Sequence, residues 1–470
     1  MKKVTEILSV CLAKHTKIWY SIPRYTGNLT GNKEIYHMIY QKELPVRLET
    51  DIVVAGGGAS GAAAAVAAAR MGKNVLLVEA GGALGGVGTT GLVPAFATFG
   101  DGVNLLSAGI GIEIRRQVSR NIPTDRYWTP IDAEELKRVY DTITVDAGVK
   151  VLFFTTVCDV LVHDGHITGV VLTSRTGLYA VKAEVFIDCT GDGTLNALAG
   201  GQFALGNEEG RTMPPTLCSQ WAGLDTGAYW KNDIPALLEQ AIADGVFTYA
   251  DRHLTGMSPR EGGVAGGNIG HIFDNDPLDE ESLTKAMMWG RASMLEYQRF
   301  YREYVKGCEN VRLTNTGAML GVRESRRTLC EHMLSVADYL ARACFDDEIG
   351  RYCYPVDIHI MNTDSEEMKR FQAEYEDMRY RQGESYGIPY RSLVPLSFDN
   401  LLTAGRCMGT DRQMEASVRV MPGCFITGEA AGTAAALALD AGADVRAVDT
   451  ALLQRTLAGH GAFMREELLR

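Results

Sequence analysis

Between Asp51 and Glu79 the chain reads DIVVAGGGASGAAAAVAAARMGKNVLLVE. The four-residue apolar runs Ile52–Ala55 and Val75–Val78 flank a glycine cluster and the Ala-rich stretch Ala62–Arg70. Short apolar runs bounded by turn residues predict parallel strands buried on both faces, and the Ala-rich stretch between them predicts a helix. Helical spacing returns over Asp132–Ala147, where Leu136, Val139, Tyr140 and Ile143 share one face and Gly148 ends the run. Val149–Phe154 is strand-like. Val160–His163, Ile167–Thr173 and Gly177–Val181 read as a small antiparallel layer, with Asp164-Gly165 as a hairpin turn. Glu184–Asp188 then returns to the main sheet. Further on, Glu280–Val305 and Leu329–Ala343 read as helices, Asn400–Ala404 as a strand, and Thr433–Ala441 as a second Ala-rich helix opened by a glycine turn. Strands alternating with helices in this way predict the α/β class.

The pattern changes character along the chain. Residues 1–43 match nothing expected before a first strand and read as a poorly ordered extension. Met1–Lys3 is basic and Ile7–Ala13 apolar, as in a signal peptide, but the apolar part is short and no small-x-small cleavage site follows. Met38 offers an alternative start. Residues 44–205 and 391–470 are rich in strands and glycine, and are expected to form one nucleotide-binding domain in two parts. Residues 206–390 carry more charges and aromatics and read as an inserted α+β substrate or cap domain. In it, Arg323-Glu324-Ser325-Arg326-Arg327 reads equally well as a solvated helix face or as part of a site.

Composition narrows the function classes. The hydrophobic share of 46% and charged share of 22% are globular values. A net charge of −12 argues against nucleic acid as a partner, because phosphate contact needs clustered basic surface. No apolar run approaches the ~18–20 residues of a membrane span. The ten cysteines include no C-x-x-C pair, which argues against an iron–sulfur cluster, a zinc ribbon or a redox-active disulfide. No metal site is expected, and the cysteines are expected as reduced thiols in a cytoplasmic protein.

The candidate chemistry begins at Gly56, Gly58 and Gly61, spaced G-x-G-x-x-G between strand and helix. The first glycine permits the tight turn, the second a close approach to pyrophosphate, and the third close packing of helix on strand. The helix N-terminus offers N–H groups and partial positive charge to phosphate. Glu79, about 20 residues on, suits a ribose hydroxyl. A second loop, Ala80–Gly91, is dense in glycine and threonine and suits further cofactor contacts. The strand ending in Asp188-Cys189-Thr190-Gly191-Asp192-Gly193 lies where ligands bind α/β sheets. A glycine turn near each end of the chain suits a long two-ended cofactor, so FAD fits better than NAD.

Four segments carry a family resemblance: AGGGASGAAAAVAAARMGKNVLLVE from Ala55, IDCTGDG from Ile187, GVRESRR from Gly321, and YGIPYRSLVP from Tyr386, which runs on into NLLTAGRCMG and SVRVMPGCFITGEAAGTAAALA. Over roughly Leu44–Ala438 the chain resembles bacterial FAD-dependent oxidoreductases with a glutathione-reductase-like, two-dinucleotide-binding flavin domain, related to fumarate reductase flavoproteins. The resemblance implies a Rossmann-like FAD-binding domain with non-covalent FAD. It implies that Gly56, Gly58, Ala59, Ser60 and Gly61 hold the pyrophosphate, and Glu79 with Ala80 the adenosine ribose. Gly86, Thr89 and Thr90 would run beside the flavin. Val157 would meet adenine through its backbone, and Thr190, Gly191 and Asp192 would line the dinucleotide. Gly405 and Arg406 would approach the ribityl chain. Gly428, Ala431, Gly432 and Thr433 would place a helix N-terminus at the flavin pyrimidine. One departure is the charged stretch Thr410–Glu415, where relatives carry a His or small residues; it is expected near the flavin's reactive face.

The catalytic candidates are Arg323, Arg391, His271 and His359, with Arg406, Arg419 and Tyr390 also considered. An arginine can clamp a carboxylate or polarise a carbonyl, and histidine titrates in the useful range. The expected function is hydride transfer between flavin N5 and a small alcohol, sugar or activated alkene, with an external electron donor or acceptor. The alternatives are an RNA-modifying flavoprotein and a non-catalytic FAD-binding electron-transfer subunit.

Overall fold

A computed structural model describes residues 39, 41–118, 128–252, 256–376 and 378–470. The signal-peptide-like segment, Met38 and Cys11 lie outside the described residues. The central element is a five-stranded parallel sheet. Its strands and first helix are β1 (Ile52–Ala55), α1 (Ala59–Arg70), β2 (Val75–Val78), β3 (Lys150–Leu152), β4 (Val185–Asp188) and β5 (Leu401–Thr403), in the spatial order β5-β4-β1-β2-β3. The unbroken apolar runs of β1 and β2 follow from burial on both faces. Ile52, Val54, Val75 and Leu77 pack on the helical layer, while Val53, Ala55, Leu76 and Val78 pack on a second, four-stranded sheet.

That second sheet contains Thr156–His163, His166–Ser174 and Gly177–Lys182 as an antiparallel meander, with Val46–Glu49 added parallel at one edge. Its hairpin turns at Asp164 (φ 48°) and Gly165 (φ 79°), as the Asp-Gly signal predicts. The helix at Ala133–Asp146 is capped by Asp132, which accepts hydrogen bonds from the backbone of Glu134 and Glu135.

Two helices complete the helical layer: α2 (Arg412–Val418) and α3 (Met421–Ala441). α3 lies against α1 with almost no side-chain spacing. A Cβ on Gly428 would sit 2.2 Å from the Ser60 carbonyl oxygen, and one on Gly432 2.1 Å from that of Ala64. The small residues of both helices are what permit this approach. α3 starts twelve residues before the expected Thr433. Val420 is its N-cap and Pro422 stands in its first turn, a position where the missing N–H is harmless. Gly428, Ala431, Gly432 and Thr433 are therefore buried in a helix interior and do not form a helix N-terminus.

Residues 219–316 build a separate sheet, Met257–Arg260, Val264–Gly267, Ser219–Ala222 and Arg312–Thr316, backed by the long helix Glu280–Tyr304. Trp221, Tyr297, Phe300 and Tyr301 fill its core. Residues from Leu334 to Val394 instead contribute to the core shared with α1 and α3. The expected helix Leu329–Ala343 is reduced to Val336–Ala341. Bridges from Cys330 to Pro395 and from Leu334 to Thr410 hold the preceding residues extended, and a Ser335–Asp338 capping box starts the helix late. Among the described residues, no helix is long and apolar enough to cross a membrane.

Glu429 is a buried carboxylate inside α3. It accepts a hydrogen bond from the Ile110 N–H at the start of the helix Ile110–Val118, 3.0 Å away. Burial pushes its pKa from 4.5 up to about 7. Its stabilising contribution is full below 4.5 and is lost as pH rises through 7, at most about 3 kcal/mol. Glu429→Gln keeps a carbonyl acceptor without the charge. It is expected to match the parent near pH 4.5 and to exceed it in urea unfolding at pH 8. A stability difference that is the same at both pH values would remove this assignment.

Candidate functional site

The first glycine loop fits its expected chemistry. Gly56 has φ 91°, and a Cβ there would lie 2.5 Å from the Cys189 carbonyl oxygen. A Cβ on Gly61 would lie 1.8 Å from the Gly56 carbonyl oxygen, so α1 can pack against the loop only with glycine there. At Gly58 a Cβ meets nothing within 4 Å. Gly58 is the N-cap of α1, and no side chain caps that helix. The space beside Gly58 thus lies at an N-terminus that carries the positive end of the helix dipole, with Ala59 and Ser60 buried in its first turn. Glu79 stands at the end of β2, accepting from the N–H of Gly57 (2.8 Å) and Gly81 (2.6 Å). Ala80 next to it is exposed.

The second glycine loop joins two helix ends. A Cβ on Gly86 would come 3.2 Å from Gly58 Cα, and one on Gly88 2.6 Å from Met421 Sδ in the first turn of α3. The N-cap of α3 also makes no side-chain hydrogen bond. One loop thus spans from the uncapped N-terminus of α1 to that of α3, two places suited to negative charge. Thr89 is buried, with its hydroxyl on the Leu84 carbonyl at 2.5 Å, and the Thr90 hydroxyl reaches the Gly86 carbonyl at 3.0 Å. Both threonines shape the loop through these bonds.

Beyond β4, the Thr190 hydroxyl donates to Asp188 (2.7 Å). Gly191 has φ 76° beside the Arg406 guanidinium. Asp192 pairs with Arg406 (2.8 Å), and both hydrogen-bond the Ser325 hydroxyl (2.8 and 2.9 Å). Gly405, φ 77°, abuts Ser60 of α1. Val157 is buried in the second sheet opposite Leu172.

Three of the four catalytic candidates converge. His271 and His359 are 88 residues apart in sequence, yet His271 Nε2 lies 2.7 Å from His359 Nδ1. Asp251 flanks the pair on one side and Asp357 on the other. Arg419 donates to the Asp357 carbonyl (3.1 Å) and to its carboxylate (3.4 Å), and Tyr354 donates to the same carboxylate (3.4 Å). Arg323 is buried, donating to the Pro214 carbonyl at 2.7 Å. Burial and the nearby Arg419 push its pKa down to about 10. Burial alone would raise Asp357, but His359, then Arg419 and Arg323, hold it well below the usual carboxylate range.

The cluster adjoins the second glycine loop and α3. Ala318, in the segment leading to Arg323, donates to the Thr90 carbonyl at 2.8 Å. Arg419 directly precedes the N-cap of α3. Arg391 is elsewhere: it is half exposed and ion-paired to Asp347 at 3.0 Å. Tyr390 is buried on the Val445 carbonyl. The charge run at Arg323–Arg327 is not a solvated helix face. Its residues are largely buried, and Arg326–Thr328 is a strand. Nor does Thr410–Glu415 present its charges openly: Arg412 pairs with Glu324, and Glu415 is buried on Arg327. Asp251 and the start of α3 were missed in the sequence. The Asp-x-His spacing of Asp357 and His359 in an extended segment was a signal for their adjacency.

Two glycine loops, an uncapped helix N-terminus at each end and a carboxylate after β2 define a nucleotide-cofactor enzyme fold. The chain matches the model of the family "FAD dependent oxidoreductase" over residues 51–457. It belongs to that family and is an FAD-dependent oxidoreductase. No curated protein matches it. Similar solved structures include a geranylgeranyl bacteriochlorophyll reductase-like protein from Thermoplasma acidophilum, 12% identical, TM-score 0.45, covering 88% of this chain and 84% of that one. The p-nitrophenol 4-monooxygenase of Pseudomonas putida is 11% identical, TM-score 0.42, covering 90% and 86%. The L-proline dehydrogenase of P. horikoshii is 13% identical, TM-score 0.36, covering 88% and 99%.

Proposed function

We propose that this flavoenzyme, in a glutathione-reductase-like arrangement, transfers hydride between the flavin and a small organic substrate held against the His271–His359 cluster. Bound FAD supplies the two-electron redox chemistry, and the protein supplies orientation and proton handling. The observation that carries the reading is the meeting of two histidines, two carboxylates and two arginines beside the second glycine loop and the start of α3. Buried titratable groups of this density are concentrated at functional sites. The α1 and α3 N-termini and the loop between them fit the phosphates and the electron-rich end of a reduced flavin. Glu79 suits the ribose, in exchange for its present backbone partners. Non-covalent attachment and an external electron donor or acceptor belong to the same proposal.

The purified protein is expected to show flavin absorbance near ~370 and ~450 nm, released by heat as free FAD, since the cofactor carries these bands. Anaerobic addition of candidate alcohols, sugars and other reductants is then expected to bleach the longer-wavelength band with one of them. Bound flavin that no small molecule reduces or reoxidises would favour an electron-transfer subunit instead.

A further inference from the structure

Phe154 stands two residues past the end of β3, with φ 52°. That region of backbone space is open to glycine and costly for an L residue with a bulky side chain. Of the five non-glycine residues with positive φ among the described residues, Phe154 is the one aromatic. Burial does not offset the strain, since the residue is 57% exposed. The surrounding chain nevertheless makes room for the ring. A Cβ on Gly82 would come 2.7 Å from Phe154 Cζ, so the ring tip rests on the glycine backbone. The Phe154 N–H donates to the Gly81 carbonyl at 3.0 Å, and the Thr155 N–H to the Glu79 carbonyl at 3.1 Å. An exposed aromatic ring is thus fixed, by backbone bonds and a glycine seat, beside the carboxylate that follows β2. Strain held in place by its surroundings in this way is concentrated at ligand clamps and other functional sites.

The order of the sheet gives the ring its place. β1, β2 and β3 lie side by side and parallel. The uncapped N-terminus of α1 lies beyond β1, Glu79 beyond β2 and Phe154 beyond β3. Neighbouring strands are about 4.8 Å apart, close to the step from one part of a nucleotide to the next. Phosphate, ribose and base follow one another in that same order. With phosphate at α1 and the ribose hydroxyls at Glu79, the base arrives over the end of β3, at the Phe154 ring. The Arg175 guanidinium lies over this ring, 5.4 Å from its centroid, so a face of the ring is open to a neighbour. Arg175 is itself exposed, in the turn between His166–Ser174 and Gly177–Lys182, and can leave that face without opening the core.

We propose that the Phe154 ring is the stacking platform for the adenine base of FAD, at the end of a nucleotide track that runs from α1 past Glu79. The inference rests on the cofactor reading above. Stacking needs a π-face and no hydrogen-bonding code, which suits a side chain without polar atoms. Arg175 gives up its place on the ring as the base arrives.

The test is calorimetric titration of the full-length apoprotein with ADP and with FAD, together with fluorescence of a second variant. Phe154→Gly removes the ring and leaves a residue suited to φ 52°. It is expected to weaken the binding of both nucleotides about 10- to 100-fold, the range for loss of one base–aromatic stack. Its apoprotein is expected to be at least as stable as the parent, because the strain goes with the ring. Phe154→Trp is expected to keep the ADP affinity, and the fluorescence of the added indole to be quenched as ADP binds. Unchanged affinities in Phe154→Gly, beside a parent that binds FAD, would overturn this proposal alone. An added indole that does not respond to saturating ADP would overturn it as well, and would assign any loss of affinity to the Gly81–Gly82 loop beneath the ring. A parent that binds neither nucleotide would overturn the cofactor reading and this proposal with it.

Discussion

Gly58→Ala is expected to leave the apo protein folded while weakening FAD binding about 10- to 100-fold, about 1.4–2.8 kcal/mol. Gly61→Val, three residues on, is expected to destabilise the protein itself. The difference lies in what each new Cβ meets. At Gly58 it meets nothing within 4 Å, and the backbone there, φ −66°, suits any residue. The apo stability of that variant should stay within about 1 kcal/mol of the parent. The methyl group does project into the space before the uncapped helix N-terminus, where a pyrophosphate must come close to the backbone. At Gly61 the added Cβ would sit 1.8 Å from the Gly56 carbonyl oxygen. That contact is with backbone at the β1–α1 junction, so relief requires moving α1, at a cost of several kcal/mol. FAD titration by fluorescence quenching, with thermal unfolding of both apo variants, checks the pair. If Gly58→Ala binds FAD as the parent does, the pyrophosphate does not lie at this helix end.

The same two glycines show why much of the nucleotide fold was legible in the sequence. β1, β2 and β4 are buried on both faces, so local composition states their role without reference to distant residues. The glycine spacing constrains one local turn. Gly428 and Gly432 show the limit of such reading. Seen alone, glycines ahead of an Ala-rich stretch resemble another phosphate turn. Their role is set by α1, whose Ser60 and Ala64 carbonyls fill the space where a side chain would be. The better sign of the helix start was Pro422, which the continuous small-residue pattern overshadowed.

The site was legible residue by residue but not as an assembly. His271, His359 and Arg323 could each be nominated by type. What joins them is the docking of the sheet at 219–316 against the segment Tyr354–His359, which no local period encodes. Asp251 lacks any local mark. The charge run at Arg323–Arg327 was ambiguous for the same reason: its burial depends on Glu415, 88 residues from Arg327. Local polarity reports exposure only where partners are local.

That buried network carries the second large effect. Arg327→Met is expected to cost about 1–2 kcal/mol more at pH 9 than at pH 5, because Glu415, raised to about 8, then has to be held protonated without its guanidinium partner. The Arg327 guanidinium donates to Glu324 at 2.8 Å, to Glu415 at 3.1 Å and to the Gly206 carbonyl at 2.9 Å. Both carboxylates are fully buried. Arg412 remains on Glu324, at 3.1 Å to each oxygen, while Glu415 keeps, among the described residues, a 3.4 Å hydrogen bond from the Ser325 N–H and the more distant charge of Arg406. Burial, with repulsion from Glu324, already raises the Glu415 pKa from 4.5 to about 8. Its contribution to stability is therefore full below 4.5 and lost as pH rises through 8. Without Arg327 that pKa should climb further, so the deficit of the variant should be small near pH 5 and grow toward pH 9. Adding Glu415→Gln removes the stranded charge and should recover most of the loss at pH 8.5 while changing little at pH 5. Urea unfolding of the single and double variants at those two pH values decides the matter. If Glu415→Gln deepens the loss at pH 8.5, Arg327 acts through its packing and its bond to Gly206, and the charge balance of the pair is not what holds this segment in place.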